Sequence, residues 1–440
     1  MPFSKIINTR SVLISSEGGS GHKIAALAVK SRYQGSYYEL DTFATLGKIG
    51  KACTERWNQA QKRGDIKTQI KLANYQGLAE ALFSIPIYFR VCYVLLRHNI
   101  DQIIDTQAIG TRSIIRAART VNFIYKLLRK KERVINVWKI FIELPTSKSL
   151  YYHRYIKKLS KKDKKIFKLV SIKPPFKTIQ EEEDFWQKYC NLSVLTKEVV
   201  YADPPIRKEF LTYKNLPSKP QKLAFAVNTE EELHLLQSIH NDLEPDPSEA
   251  KNLWNISIKN DDIVMTLMLG SQVAEKATLN YVSRLFQAGE TIISQDKKIY
   301  FFVYCNKHIP QQETLFKKVV DLVKTYQKTN PNIKVVPLTF QNASEIAPMM
   351  YRSDFAIIRT GAQASQEAKS SVQGQILIHS ENTDENISLE DQSELLKGIP
   401  LWEGGNAEFL INTCQAKIVN PSLFKEYLTS RLTTHSCICQ

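Results

Sequence analysis

Glu17-Gly18-Gly19-Ser20-Gly21-His22 follows a short apolar run, Ser11–Ser16, and precedes an alanine-rich segment from Lys23 to about Ser31. Glycines at such a junction let the backbone approach a ligand and aim the amides of a helix N-terminus at an anion. A histidine in the first helical turn feels the positive end of the dipole, which favours a neutral imidazole able to take a proton from a hydroxyl. The spacing is not that of a P-loop, which needs GK[ST], nor of GxGxxG, so a dinucleotide is not indicated. A second group runs from Asp354 to Ala368. There Phe355–Ile358 reads as a strand, Arg359-Thr360-Gly361 as its turn, and the helix that follows carries Glu367. Amides at a helix start suit a diphosphate, and a carboxylate two turns later suits a ribose diol. Trp402-Glu403-Gly404-Gly405-Asn406 is a third polar, glycine-bearing group. No DxD sequence occurs, so a metal-dependent transfer of that type has no ligand set, and Arg359 or Arg207 is left to neutralise a leaving diphosphate.

These groups need strands and helices to position them. Strand, glycine turn and helix at 11–31 form the opening unit of a doubly wound sheet. Further strands are predicted at 102–105, 136–142 and 192–195, with helices between. Lys157–Lys168 reads as a helix end or exposed loop. The prolines at 204, 205, 217 and 220 place a linker near 205–220. Strands at 263–269, 299–304, 333–337, 355–358 and 376–379 alternate with helices, one of them over 313–328, and predict a second parallel sheet. Gly270-Ser271 follows the first of these. The segment 221–260 gives no readable pattern.

The chain has 440 residues, enough for two α/β domains, and 43% hydrophobic with 24% charged residues predicts a folded protein. Its charge of +16 divides into +22 for residues 1–220 and −6 for residues 221–440. The first half therefore faces an anionic partner, and no RRM, KH, zinc-finger or helix-turn-helix pattern argues for nucleic acid. Seven cysteines without metal-ligand spacing fit a reducing compartment rather than structural zinc. The N-terminus lacks the apolar core of a signal peptide. Ala81–Leu96 is apolar but short for a span and contains Arg90 and Pro86, so it reads as a buried helix or interfacial patch.

The run from Ile14 to Ala26 resembles the amino-terminal glycine loop of monogalactosyldiacylglycerol synthases. These share the GT-B fold with the N-acetylglucosaminyltransferase that acts on the lipid carrier of peptidoglycan. The run from Asp354 to Ala368 is similar to that family's donor-binding strand, glycine and helix. Two departures are Ser20, where a glycine is usual, and Ala364, where a threonine is usual. Trp402–Leu410 resembles the segment that contacts the transferred sugar. The resemblance implies an α/β protein of GT-B type, with two Rossmann-like domains and a cleft between them. An acceptor-side domain would span 1–205, a nucleotide-sugar domain 206–420, and a C-terminal helix and tail 421–440.

It further implies a UDP-sugar as substrate, no cofactor and no metal, inversion at the anomeric carbon, and a lipid or a host protein as acceptor. His22 would be the catalytic base, with Glu143 the fallback. Gly18, Gly19, Gly21, Gly270, Ser271, Phe340 (at the uracil), Arg359, Gly361, Glu367, Glu403 and Asn406 would bind donor. A catalytically inactive scaffold that binds membranes or proteins is the alternative. The terminus, Cys437-Ile438-Cys439-Gln440, fits a CaaX box for farnesylation at Cys437. That implies a host farnesyltransferase as partner and a eukaryotic cell, reached by synthesis there or by secretion from a bacterium. The protein would lie in the cytoplasm, peripheral on an anionic membrane, because one lipid chain needs a polybasic second signal such as Lys157–Lys168.

Overall fold

Apolar runs without alternation, such as Val12-Leu13-Ile14 and Tyr300–Val303, become strands buried on both faces. A computed structural model describes residues 10–16, 21–32, 35–107, 109–128, 133–213, 219–247, 252–292, 297–384 and 386–434. Its first sheet contains β1 (Ser11–Ser15), β2 (Tyr37–Asp41), β3 (Gln102–Asp105), β4 (Asn136–Ile140), β5 (Phe167–Ser171) and β6 (Val199–Tyr201). They pair in parallel in the order β2-β1-β3-β4-β5-β6. A small antiparallel sheet of β7 (Lys222–Ala226), β8 (Glu244–Pro245) and β9 (Leu253–Ser257) follows. The second large sheet contains β10 (Ile263–Met268), β11 (Ile299–Tyr304), β12 (Ile333–Leu338), β13 (Phe355–Ile358), β14 (Gln375–His379) and β15 (Lys417–Val419). Its order, β12-β11-β10-β13-β14-β15, is again all parallel. These are two doubly wound, Rossmann-like units, as the sequence predicts.

Several elements differ from the sequence reading. Residues 192–195 are not a strand. The helix Ile179–Cys190 ends on Asn191 in the left-handed region, and the Leu192 amide reaches back to the Trp186 carbonyl. Leu192 is therefore the buried contact of a helix cap, and the edge strand is β6. The lysine run holds a short capped helix, Lys161–Lys164, whose Ser160 and Asp163 bond reciprocally, and β5 starts at Phe167 within the run. β4 stops at Ile140, two residues early, because the backbone of 142–144 turns to meet the second domain.

Each large sheet has its own core, and the small sheet packs into the second. Ile206 and Phe210 already pack into the second one, as do Phe424 and Leu428 of the last helix, Pro421–Thr434. Ala81–Leu96 falls within one helix, Gln76–Arg97, long and apolar enough by length and composition to cross a membrane. Ile87, Val91, Val94 and Leu95 face the first core, while Leu82, Ile85 and Phe89 are 63%, 65% and 65% exposed. With Leu78, Tyr93 and Leu96, also exposed, they form an apolar stripe at helical spacing.

Candidate active site

In doubly wound sheets a ligand site forms outside the carboxyl ends of the strands, where the strand order reverses. Here that point lies between β1 and β3 in one domain and between β10 and β13 in the other. Residues from all four strand ends line one cleft of about 550 Å³: Ser16, Gly21 and His22 after β1, Ile109 after β3, Gly270 and Ser271 after β10, and Arg359 and Gly361 after β13. Phe340, Glu367 and Glu403 line it as well. Gly18 and Gly19 lie outside the described residues, as does Cys437.

His22 opens the helix Gly21–Arg32, and its Nδ1 sits 2.6 Å from the carbonyl of Thr106, just past β3. A carbonyl can only accept, so Nδ1 carries the proton and Nε2 keeps its lone pair. Burial lowers its pKa to about 4 against the raising effect of the Thr106 bond, and the Lys139 charge lowers it further. Lys139 of β4 is itself fully buried, 3.2 Å from Asp105 of the neighbouring strand. His153, on the same cleft wall, is held well below its usual range by burial, Lys139 and His22.

Across the cleft, Gly361 caps the helix Ala362–Ser371, and a Cβ there would meet open space. Buried polar atoms cluster around this helix start without partners: Thr360 Oγ1, Gln363 Oε1, Ser365 Oγ and Gln366 Oε1. Unpaired buried polar atoms are costly, and of these residues Gln363 lines the cleft. Glu367 is buried and joined by both oxygens to Arg207, at 2.8 and 2.8 Å. Burial raises its pKa, and Arg207 opposes the shift. The arginine takes two of the carboxylate's lone-pair sites, and the Gln363 side chain also bonds the carboxylate. Gly270 has φ of 82°, a left-handed turn that an L side chain would strain, and it lets β10 end close to Arg359. Phe340 is 69% exposed, a free aromatic face at the end of β12.

Two expected donor contacts are otherwise engaged. Arg359 bonds Glu403 at 3.2 Å and crosses to the first domain, reaching the Gln61 carbonyl at 3.2 Å and Gln69 Oε1 at 3.0 Å. Asn406 is fully buried and stands behind the cleft wall. Its Oδ1 accepts from the Leu144 amide at 2.8 Å, and its Nδ2 donates to Glu143 Oε2 at 2.5 Å and the Thr360 carbonyl at 2.9 Å. Glu143 lines the cleft, and burial beside Glu403 raises its pKa to about 8 despite the Asn406 bond.

Sequence reasoning missed the first-domain wall of the cleft, where Phe43, Trp57, Leu72, Tyr75 and Phe83 join Cys53. Cys53 and Trp57 share the helix Gly47–Lys62, while Leu72 and Phe83 come from two further helices and Phe43 and Tyr75 from turns, so no one local pattern collects them. The close approach of the domains depends on Gly405. A Cβ there would press into Thr146 Oγ1 and come within 2.6 Å of the Ser149 amide. Gly405→Ala inside the helix Leu401–Cys414 would ordinarily gain up to about 1 kcal/mol. Here it is expected to cost about 1–3 kcal/mol instead, read as a lower midpoint in urea unfolding.

Two Rossmann-like domains facing one another across such a cleft define the GT-B architecture. No family model matches the sequence, and no curated protein matches it. Among solved structures the chain is similar to MurG from Acinetobacter baumannii, with 13% identity over 97% of this chain and 90% of that one and a TM-score of 0.44. It is also similar to the UDP-GlcNAc 2-epimerase of Neisseria meningitidis bound to UDP-GlcNAc (11%, 97% and 100%, TM-score 0.37). The glycosyltransferase SsfS6 of Streptomyces sp. SF2575 is another (7%, 97% and 96%, TM-score 0.40). These are likenesses of outline.

Proposed function

We propose that the protein transfers a sugar from a UDP-sugar to a hydroxyl of an acceptor held at an anionic membrane surface. The observation that carries this reading is a cleft that His22, its Nε2 lone pair uncommitted, shares with the start of the helix Ala362–Ser371, where Gln363 Oε1 has no partner among the described residues. In that reading the diphosphate sits at Gly361, the ribose hydroxyls bond Glu367, and the uracil stacks on Phe340. Ser271, Gly270 and Glu403 complete the donor side, and Arg359 exchanges protein contacts for phosphate. The acceptor oxygen bonds the anomeric carbon as the bond from that carbon to the diphosphate breaks. The electron pair leaves with UDP, and the hydroxyl proton passes to His22 Nε2. The donor's negative charge would raise the His22 pKa and make it a better base only when donor is bound. Calorimetric titration with UDP, UDP-glucose, UDP-galactose and UDP-GlcNAc should give one site, and no binding by any of them would overturn the reading.

A lipid acceptor is favoured over a host protein by the apolar cleft wall and the apolar stripe of Gln76–Arg97, both of which include or adjoin Tyr75. Exposed Arg90, Arg97, Arg112, Arg116 and Arg119 flank that stripe, and the Arg119–Asp163 pair at 2.8 Å sets the lysine run beside them. A basic rim around an apolar patch suits a cytoplasmic, peripheral seat on anionic lipid. Burying Leu82 and Phe89 contributes roughly 1.5–3 kcal/mol each. The double variant Leu82→Glu/Phe89→Glu should therefore co-sediment at least about tenfold less with phosphatidylserine vesicles while keeping its affinity for UDP. Unchanged sedimentation would count against this face.

The inactive-scaffold reading is favoured by one observation. The carboxylates of Glu367 and Glu403 are both already paired with arginines.

A further inference from the structure

We infer that Glu143 acts as an uncharged carboxylic acid that donates a hydrogen bond from Oε1 to the donor diphosphate, and that Asn406 is the positioning residue that assigns the proton to that oxygen. This rests on the diphosphate site proposed above. The stretch 142–144 follows β4 of the first domain but is held by the second. Gln366 Nε2 bonds the Ile142 carbonyl, and Asn406 accepts from the Leu144 amide at 2.8 Å. Asn406 Nδ2 then donates to Glu143 Oε2 at 2.5 Å and to the carbonyl of Thr360, next to the helix-capping Gly361, at 2.9 Å. An amide N–H can only donate, so Oε2 is the accepting oxygen. Oε1 is bonded by none of the described residues, and Glu143 lines the cleft. Glu143 is thus anchored one amide away from the residue that opens the diphosphate helix.

Charge decides which form the group takes. Among the described residues no cation pairs with Glu143, whose one bond is to a neutral amide. The same helix brings Glu403, paired with Arg359, to face it, and Glu408 on that helix is paired with Lys148. The helix Ala362–Ser371 adds Glu367, paired with Arg207. From the first domain, His22 and His153 share the wall, both held uncharged at neutral pH by burial. A carboxylate at this place would be a second buried anion beside Glu403 and would repel the diphosphate. A carboxyl group keeps the site neutral and supplies a donor where the ligand has only acceptors. The pKa raised to about 8 agrees.

The sign of the pH dependence follows. The proton is present below about pH 8 and lost above it, so the donor hydrogen bond disappears and repulsion replaces it as pH rises. UDP titrated by calorimetry between pH 7 and about 8.8, below the titration of its own uracil N3–H, should bind wild type about fivefold or more weakly at the upper end. Glu143→Gln keeps an N–H donor for the ligand and an oxygen for Asn406, so it should bind within about threefold of wild type at pH 7 and stay flat with pH. Glu143→Ala should be about tenfold weaker at pH 7 and also flat. Asn406→Ala should weaken UDP several-fold in the wild-type background and not further in Glu143→Ala. Should Asn406→Ala fail to fold, Asn406→Asp, which keeps the acceptor for Leu144, should move the alkaline loss to higher pH. A pH-independent wild-type affinity, or a Glu143→Gln as weak as Glu143→Ala, overturns the inference while leaving donor binding intact. Absence of UDP binding at every pH overturns the donor reading itself.

Discussion

Glu367→Ala is expected to weaken UDP binding by roughly 2–3 kcal/mol, about 30- to 150-fold, because two ribose hydroxyls lose their buried acceptor. The carboxylate is built for such a role. It sits two turns into the helix Ala362–Ser371, buried, with Arg207 holding both oxygens at 2.8 Å and fixing their plane toward the cleft. Removing it also strips Arg207 of its partner, so the measurement must be made on protein shown to be folded. Glu367→Gln is a useful companion. It keeps the shape and one accepting oxygen, and should lose less affinity than the alanine variant. Calorimetry with UDP decides, and an unchanged affinity in Glu367→Ala would leave Glu367 as an interdomain strut for Arg207.

His22→Ala should lower the rate of transfer by about 10²–10⁴ while leaving UDP affinity within a few-fold of wild type. The imidazole is oriented by Thr106 rather than by a donor-binding element, so its loss should fall on kcat. Its pKa of about 4 in the empty cleft means that it is already an unprotonated base at neutral pH. With donor bound, the diphosphate charge raises that value, so the acid limb of kcat should lie above pH 4. Below it, protonated His22 can no longer accept, and the rate should fall. A His22→Ala protein with full transfer activity would reduce His22 to a capping contact between β1 and β3.

The doubly wound pattern was legible because parallel strands buried on both faces stand out as apolar runs, as at 263–268, 299–304 and 355–358. Their glycine turns carry the cleft-facing ends, and Gly270, Gly361 and Glu367 could be placed on elements from spacing alone. Short edge strands were not legible. β6 has three residues, and the apolar residue that suggested a strand nearby, Leu192, belongs to a helix cap. β15 also has three residues, and β2, of five, is partly polar and largely not buried. Relations across the domain interface could not be read either. Asn406 and Glu143 lie far apart in sequence, and the sequence could name Asn406 as polar but not that Leu144, Glu143 and Thr360 consume its donors and acceptor. Arg359 is a parallel case, since its partners Gln61 and Gln69 come from the opposite domain.

Glycosyl transfer itself is tested most directly by UDP release. Purified full-length protein would be incubated with UDP-glucose, UDP-galactose and UDP-GlcNAc together with anionic vesicles made from total membrane lipid. Release of UDP that depends on the vesicles, with sugar recovered in the lipid extract and both lost in His22→Ala, is the expected result. Tight UDP binding with no release from any donor, with lipid or protein acceptors, would contradict it and establish the cleft as that of a binding scaffold.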